Sequence, residues 1–393
     1  MTGTILPVDS IDLNKRRWPF GRRQVEDRAL TRETVPGVFF PDTAAGVPVT
    51  ERSAMSITDV FGCVGWLART ASTLPLHGYR RLEPTGRERV DAPLLETPAP
   101  GLTQSAFTAQ CVQSLALWGE TFVGLVHNGD EVAYLRTLRP DAVEVKIGSD
   151  GEPTYVWSIG DKRYELGRED VIHARLLSSL DGVRGMSPIA ACREELGLSR
   201  ALAGHASNTA SAGYNPAGIV GLPETIGDAE GEEHAKEMQK RWDGRSATPN
   251  RIEFVTGEVT YTAVSTPARD AEFVAQRQLS TVAVCRIFGL FPWMIAAPSG
   301  DSNTYANVEG QAQAAITFSL SPYLVALEQA FTGHGTLLPP GRTYAQYVRE
   351  ALMQPDHAGR ATFYTAALDE KHGWMTRAEV RDREDLPPEG ATS

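Results

Sequence analysis

Between Ala268 and Phe331 two helical segments flank a loop rich in Pro and Gly, and no other stretch constrains the fold as much. Within 270–288 the residues Ala271, Ala275, Leu279, Ala283 and Ile287 recur every four positions. That spacing predicts a helix with a small-to-medium apolar stripe, which a neighbouring helix can approach closely. The pattern breaks at Gly289–Leu290–Phe291–Pro292, passes Trp293 and Met294, and enters the turn-rich Pro298–Ser299–Gly300–Asp301–Ser302–Asn303. Helix resumes near Asn307, with Val308, Ala312, Ala315, Ile316, Tyr323, Leu324, Leu327 and Phe331 at helical spacing. Pro322 lies inside that run and predicts a kink.

At 393 residues the chain exceeds one ordinary core and should fold as two or three units. From Ser56 a helix is expected, with Val60, Cys63, Val64, Leu67, Ala71 and Leu74 on one face and Pro75 as its stop. A strand at 76–80 and a helix at 104–118 follow. Next comes an Asn128–Gly129 hairpin between apolar runs at 121–126 and 132–138, then strands at 142–147, 154–159 and 171–174. The expected class is α+β with an antiparallel sheet. Ser187–Pro188 caps a long helix to about residue 210. A charged helix is expected at 228–242, and a small β unit at 244–267 in which 252–255 and 259–263 meet around Gly257. Helices near 359–371 and from Thr376 close the chain.

Chemistry is harder to find. Phosphate-cradling glycine loops, nucleophile elbows and helix-borne zinc motifs are all missing. No catalytic, cofactor-binding or metal-binding residue emerges, and His173, between Ile172 and Ala174, reads as a hydrogen-bonded structural histidine rather than a base. The cysteines Cys63, Cys111, Cys192 and Cys285 never form a CxxC pair and read as buried thiols. A net charge of −11 argues against tight general binding of nucleic acid. No apolar run reaches membrane-spanning length, and no leader pattern opens the chain, so a cytoplasmic protein without membrane partners is expected.

The order of motifs resembles the portal proteins (head-to-tail connectors) of tailed bacteriophages, in the short-chain branch typical of long-tailed siphophages. The residues that carry it span about 56–386. They include Ala71–Ser72–Thr73–Leu74–Pro75–Leu76, Trp118–Gly119–Glu120–Thr121, and Val171–Ile172–His173–Ala174 leading to Gly185–Met186–Ser187–Pro188–Ile189. Asn215–Pro216–Ala217–Gly218–Ile219, Arg286–Ile287–Phe288–Gly289–Leu290–Phe291–Pro292 and Gly373–Trp374–Met375–Thr376–Arg377 continue it. Glu120–Thr121 stands where the family usually has Asn-Ala, and Phe291 where a Val precedes Pro.

The resemblance implies a portal fold and a division of labour: an N-terminal arm (1–50), a wing (51–223), stem helices (224–242 and 268–289) and a β clip (243–267) between them. A tunnel loop (290–306), a kinked channel helix (307–336) and a helical crown (337–393) follow. It implies a ring, typically of twelve copies, at the capsid vertex, passing double-stranded DNA during packaging and ejection without reading its sequence. Assembly in the host cytoplasm and residence in the virion are implied, as are contacts with the terminase large subunit, a head-tail adaptor and the major capsid protein. Arg251 and Glu253 are the clip's expected docking residues. In the tunnel loop Phe291, Trp293 and Met294 are expected to anchor the base, with Ser299, Asp301, Ser302 and Asn303 facing DNA. An α+β enzyme, or another head-tail structural component, is the competing reading.

Overall fold

The computed structural model describes residues 43–211 apart from 45, 130, 150 and 181, then 219–222, four residues within 233–240, and 253–256, 268–297, 308–352, 357–369 and 372–383. A short helix, α1 (Glu51–Ala54), opens on a reciprocal cap: Ser53 N–H donates to Thr50 Oγ1 and Thr50 N–H to Ser53 Oγ. The next helix, α2 (Thr58–Ser72), buries Val60, Cys63, Val64, Leu67 and Ala71, the face expected from their spacing. After β1 (Leu76–Arg81), β2 (Arg87–Val90) and the short α3 (Pro93–Glu96) comes α4 (Gln104–Trp118), which lies along α2 and buries Phe107, Cys111 and Leu115.

The strands form three antiparallel three-stranded sheets where the sequence suggested one. In the first, β1 lies between β2 and β11 (Thr343–Tyr347), so a strand near the end of the chain completes a sheet begun near its start. In the second, β3 (Glu120–Asn128) lies between β4 (Glu131–Leu138) and β8 (Val171–Arg175). Asn128 pairs with Glu131, and Gly129 at φ +71° supplies the left-handed residue that the short hairpin turn requires. The third sheet is β5 (Val143–Ile147), β6 (Pro153–Ile159) and β7 (Lys162–Leu166).

Two helices, α5 (Pro188–Ala191) and α6 (Arg193–Ser211), replace the single long helix expected after Ser187. A parallel pair, β9 (Ile219–Leu222) and β10 (Glu253–Thr256), follows. The 252–255 strand of the sequence reading therefore pairs with β9, and its expected partner at 259–263 lies outside the described residues. Of the charged 228–242 helix, Glu233, Lys236, Glu237 and Lys240 are described; they are helical and exposed.

Helix α7 (Ala268–Phe288) differs from expectation in the face it buries. Ala275 and Leu279 are exposed, Leu279 to 69%, while Ser280, Val284, Cys285 and Phe288 are buried. Bulk explains the choice, since Val284 and Phe288 remove more apolar surface from water than the small-residue stripe. Beyond it lie α8 (Val308–Ala314), a π-helical segment (Ala315–Leu320) and α9 (Ser321–Gly333), then β11, α10 (His357–Ala367) and α11 (Arg377–Arg383). One apolar core joins α2, α4, α7 and α9, while a smaller one sits between the second and third sheets around Phe122, Tyr155 and Trp157. Among the described residues no helix is long and apolar enough to cross a membrane.

Candidate functional site

The segment that ends α7 and begins the loop is held rigidly at its root. Gly289, at φ +67°, closes the helix in the left-handed conformation. Its N–H donates to Arg286 O at 3.2 Å, and the Leu290 N–H donates to Cys285 O at 2.9 Å. Pro292 then opens a single 3-10 turn (Pro292–Ile295), where its missing N–H costs nothing. Met294 is buried in the main core, Trp293 and Ile295 pack partly against it, and Phe291 is 41% exposed. Ile295 lies against Gly62 of α2, where a Cβ would meet it at 3.5 Å. The loop's polar candidates Ser299, Asp301, Ser302 and Asn303 lie outside the described residues.

Helix α7 is seated on the rest of the chain by polar contacts as well as apolar ones. Ser280 and Ser199 of α6 share a buried hydroxyl–hydroxyl hydrogen bond, and the Thr281 hydroxyl donates to Asp59 of α2 at 2.8 Å.

The helical run from Val308 to Gly333 carries its irregularity just before the proline. Pro322 has no N–H to offer Phe318 O four residues back, and the Ser321 N–H reaches five residues back to Ile316 O. The Ser321 hydroxyl also donates to Ile316 O at 2.9 Å. Widening at 315–320 turns Ser319 inward, and its hydroxyl donates to Gly289 O at 2.6 Å. The root of the loop and the irregular part of the helix are thus bonded to each other. Tyr323, Leu324, Leu327 and Phe331 bury the expected face of α9, with Phe331 stacked near Phe107 at 6.1 Å, while Ala312 and Phe318 are exposed.

A second constellation was not legible as a unit in the sequence. Glu120, 2% exposed, accepts from His173 Nε2 at 3.0 Å, Arg184 Nε at 2.6 Å and the Gly185 N–H at 2.7 Å. Arg184 also donates to Val143 O at 2.8 Å and Pro140 O at 3.1 Å, tying the third sheet to the second. His173 stacks against Phe122 at 4.2 Å. Burial pushes the Glu120 carboxyl up, but the His173, Arg184 and Gly185 bonds outweigh it and hold it below its ordinary value. Burial and the neighbouring Arg175 and Arg184 hold His173 below its own ordinary value despite the pull of Glu120. The imidazole is therefore the neutral Nε2–H donor. Gly119 (φ +74°) and Gly185 leave no room for a side chain: a Cβ on Gly119 would lie 2.0 Å from Met186 O, and one on Gly185 2.4 Å from Gly119 O. Three of the motifs that carry the resemblance meet here, joined by these bonds.

Of the two residues expected in the clip, Glu253 opens β10 and Arg251 lies outside the described residues. Among the described residues no group of His, Cys, Asp and Glu could hold a metal ion.

Residues 58–385 match the phage portal protein family. The chain belongs to that family. This portal chain is 27% identical to the probable portal protein of Streptomyces phage phiC31, over 88% of its own length and 78% of the relative's. It is 22% identical to the portal protein of Enterobacteria phage HK97, over 86% and 81%. Its fold matches the solved neck of a native gene transfer agent particle, computed with C12 symmetry, at a TM-score of 0.58 and 19% identity, covering 86% of this chain and 94% of that one. The portal family is structural, and the matched residues take in the three antiparallel sheets, the pinned loop root and the helix with its π segment.

Proposed function

We propose that this portal protein assembles into a twelve-membered ring at the capsid vertex and forms the conduit through which double-stranded DNA is packaged and ejected. The observation that carries the reading is the family match over 58–385 combined with the bonded pair of Gly289 and Ser319, which fixes the base of a loop between two helices. In a ring, Leu279 and Phe318, each about two-thirds exposed in the single chain, have neighbouring copies to cover them. The symmetric neck structure of similar fold supports the same arrangement.

In this reading residues 298–306 project into the channel. Asp301 presents a circle of carboxylates that keeps the duplex centred by repulsion, while Ser299, Ser302 and Asn303 offer weak polar contacts. Phe291, Trp293 and Met294 anchor the loop base. The clip, with Arg251 and Glu253, docks the terminase large subunit and later the head-tail adaptor, and the wing meets the major capsid protein. The chain supplies no nucleotide hydrolysis of its own, because it lacks a phosphate-binding glycine loop with its lysine.

Deleting 299–303 tests the conduit reading. Rings should form as before, with packaging efficiency or retention of packaged DNA changed, whereas Trp293→Ala should disturb assembly itself. A deletion that packages and retains DNA as the parent does, or one that forms no rings, contradicts the role given to the loop.

A further inference from the structure

The outer face of the β1–β2–β11 sheet carries an arrangement that stability alone does not favour. Its inner face, at Leu76 and Gly78, packs toward Val90, Ala92 and Leu338. On the outer face Arg81 of β1 lies directly opposite Arg87 of β2. Like charges paired across antiparallel strands repel. Most arginines of this sheet and its flanks have a carboxylate: Arg80 pairs with Glu88 at 3.0 Å, Arg89 with Glu96 at 2.6 Å, and Arg342 with Glu83.

Arg81 and Arg87 face aromatic rings instead. Arg87 lies over Tyr79 at 4.5 Å and Arg81 over Tyr344 at 5.4 Å, and the two tyrosines stack on each other at 5.8 Å and 30°. Gln346 accepts from Arg87 Nη1 at 2.5 Å and fixes that guanidinium further. Arg87, Tyr79, Tyr344 and Arg81 thus form a series of ring contacts that holds two cations by their faces, with Arg87 Nη1 already spent on Gln346. A guanidinium so held has less freedom to lose on meeting an oxyanion, which it grips with paired hydrogen bonds.

We infer that Arg81 and Arg87 form an anion-binding fork that grips backbone phosphates of duplex DNA on this sheet, apart from the channel loop. Local cations are needed for such a contact, because a chain of net charge −11 has no general attraction for a duplex. The selection of DNA over an acidic protein rests on the proposed conduit function; the fork itself does not.

The test measures binding of a short fluorescent duplex to the purified full-length protein by anisotropy across a salt series. It compares the parent, the double variant Arg81→Gln/Arg87→Gln, and Arg80→Gln as a control on the same strand. Particle mass and thermal melting are recorded in parallel. The double variant should melt and assemble as the parent does, yet bind at least about tenfold more weakly. Its slope of log affinity against log salt should be shallower by about two for each copy in contact. The control should bind as the parent does. Equal binding by parent and double variant overturns the inference and leaves the arginines as guards of a sheet edge. Binding of polyglutamate but not DNA through the same two residues overturns the choice of DNA. A monomeric parent that still binds DNA through the fork counts against the conduit reading and leaves this one standing.

Discussion

Three donors converge on the Glu120 carboxylate, and one of them, Arg184, reaches on to the carbonyls of Pro140 and Val143. Removing the acid by Glu120→Ala leaves His173, the Gly185 N–H and the partly exposed Arg184 without their acceptor and should cost about 1–3 kcal/mol in urea unfolding. A loss below about 1 kcal/mol would mean that the network adds little. Glu120 and His173 are both held below their ordinary values, so the unfolded chain binds protons at these groups more readily than the folded one. Their contribution to stability therefore falls with falling pH, from about 6.5 downward for His173 and from about 4.5 downward for Glu120. Asp170 and Glu328, whose carboxyls burial raises, act in the opposite sense, so the useful quantity is the difference between parent and Glu120→Gln. That difference should shrink in acid; a difference constant with pH contradicts the assignment. At this scale the sequence was partly legible. His173 could be read as structural, but its partner Glu120 lies 53 positions away in the chain, and only folding brings them together.

Among the elements, α2, α4 and α9 were legible because their large apolar residues keep one helical period. Helix α7 was legible as a helix but not in the face it buries, since it carries two candidate faces and the choice between them depends on which neighbours arrive. Strands β2 and β7 are short and charged, Arg-Glu-Arg-Val and Lys-Arg-Tyr-Glu-Leu, and look like loops until an adjacent strand supplies their hydrogen bonds. The proline in the 307–331 run was visible, but the π segment before it was not, because the register in which the Ser321 N–H meets Ile316 O and Ser319 meets Gly289 O is fixed only in the folded chain. Ser319→Ala should leave that carbonyl without its donor and cost about 1–2 kcal/mol. Faster hydrogen exchange should appear at 290–297; exchange like the parent's would show that the loop root is held by packing alone. For the clip, reversing both charges by Arg251→Glu and Glu253→Arg should leave rings intact and weaken terminase binding. Binding and packaging that both match the parent's would remove these residues from the docking surface.

On the scale of the whole molecule, a single apolar core runs from α2 and α4 to α9, so the loop root and the π-helical segment are fixed to one body. Large apolar side chains remain outside that core, among them Phe61 at 57%, Leu279 at 69% and Phe318 at 70% exposure. A single copy leaves them in water, and in the proposed ring neighbouring copies are expected to cover them. The α+β class and the helix-loop-helix order could be read from the chain, whereas the surfaces joining copies could not, because exposure is decided only after folding. Assembly is the claim on which the channel, the clip and the loop all depend. Native mass measurement of the purified full-length protein, with end-on electron micrographs of the same sample, tests it most directly. The account predicts a particle of about twelve 42.7 kDa chains with a central hole. A monomer at every concentration, or an open chain of copies that never closes, would contradict it.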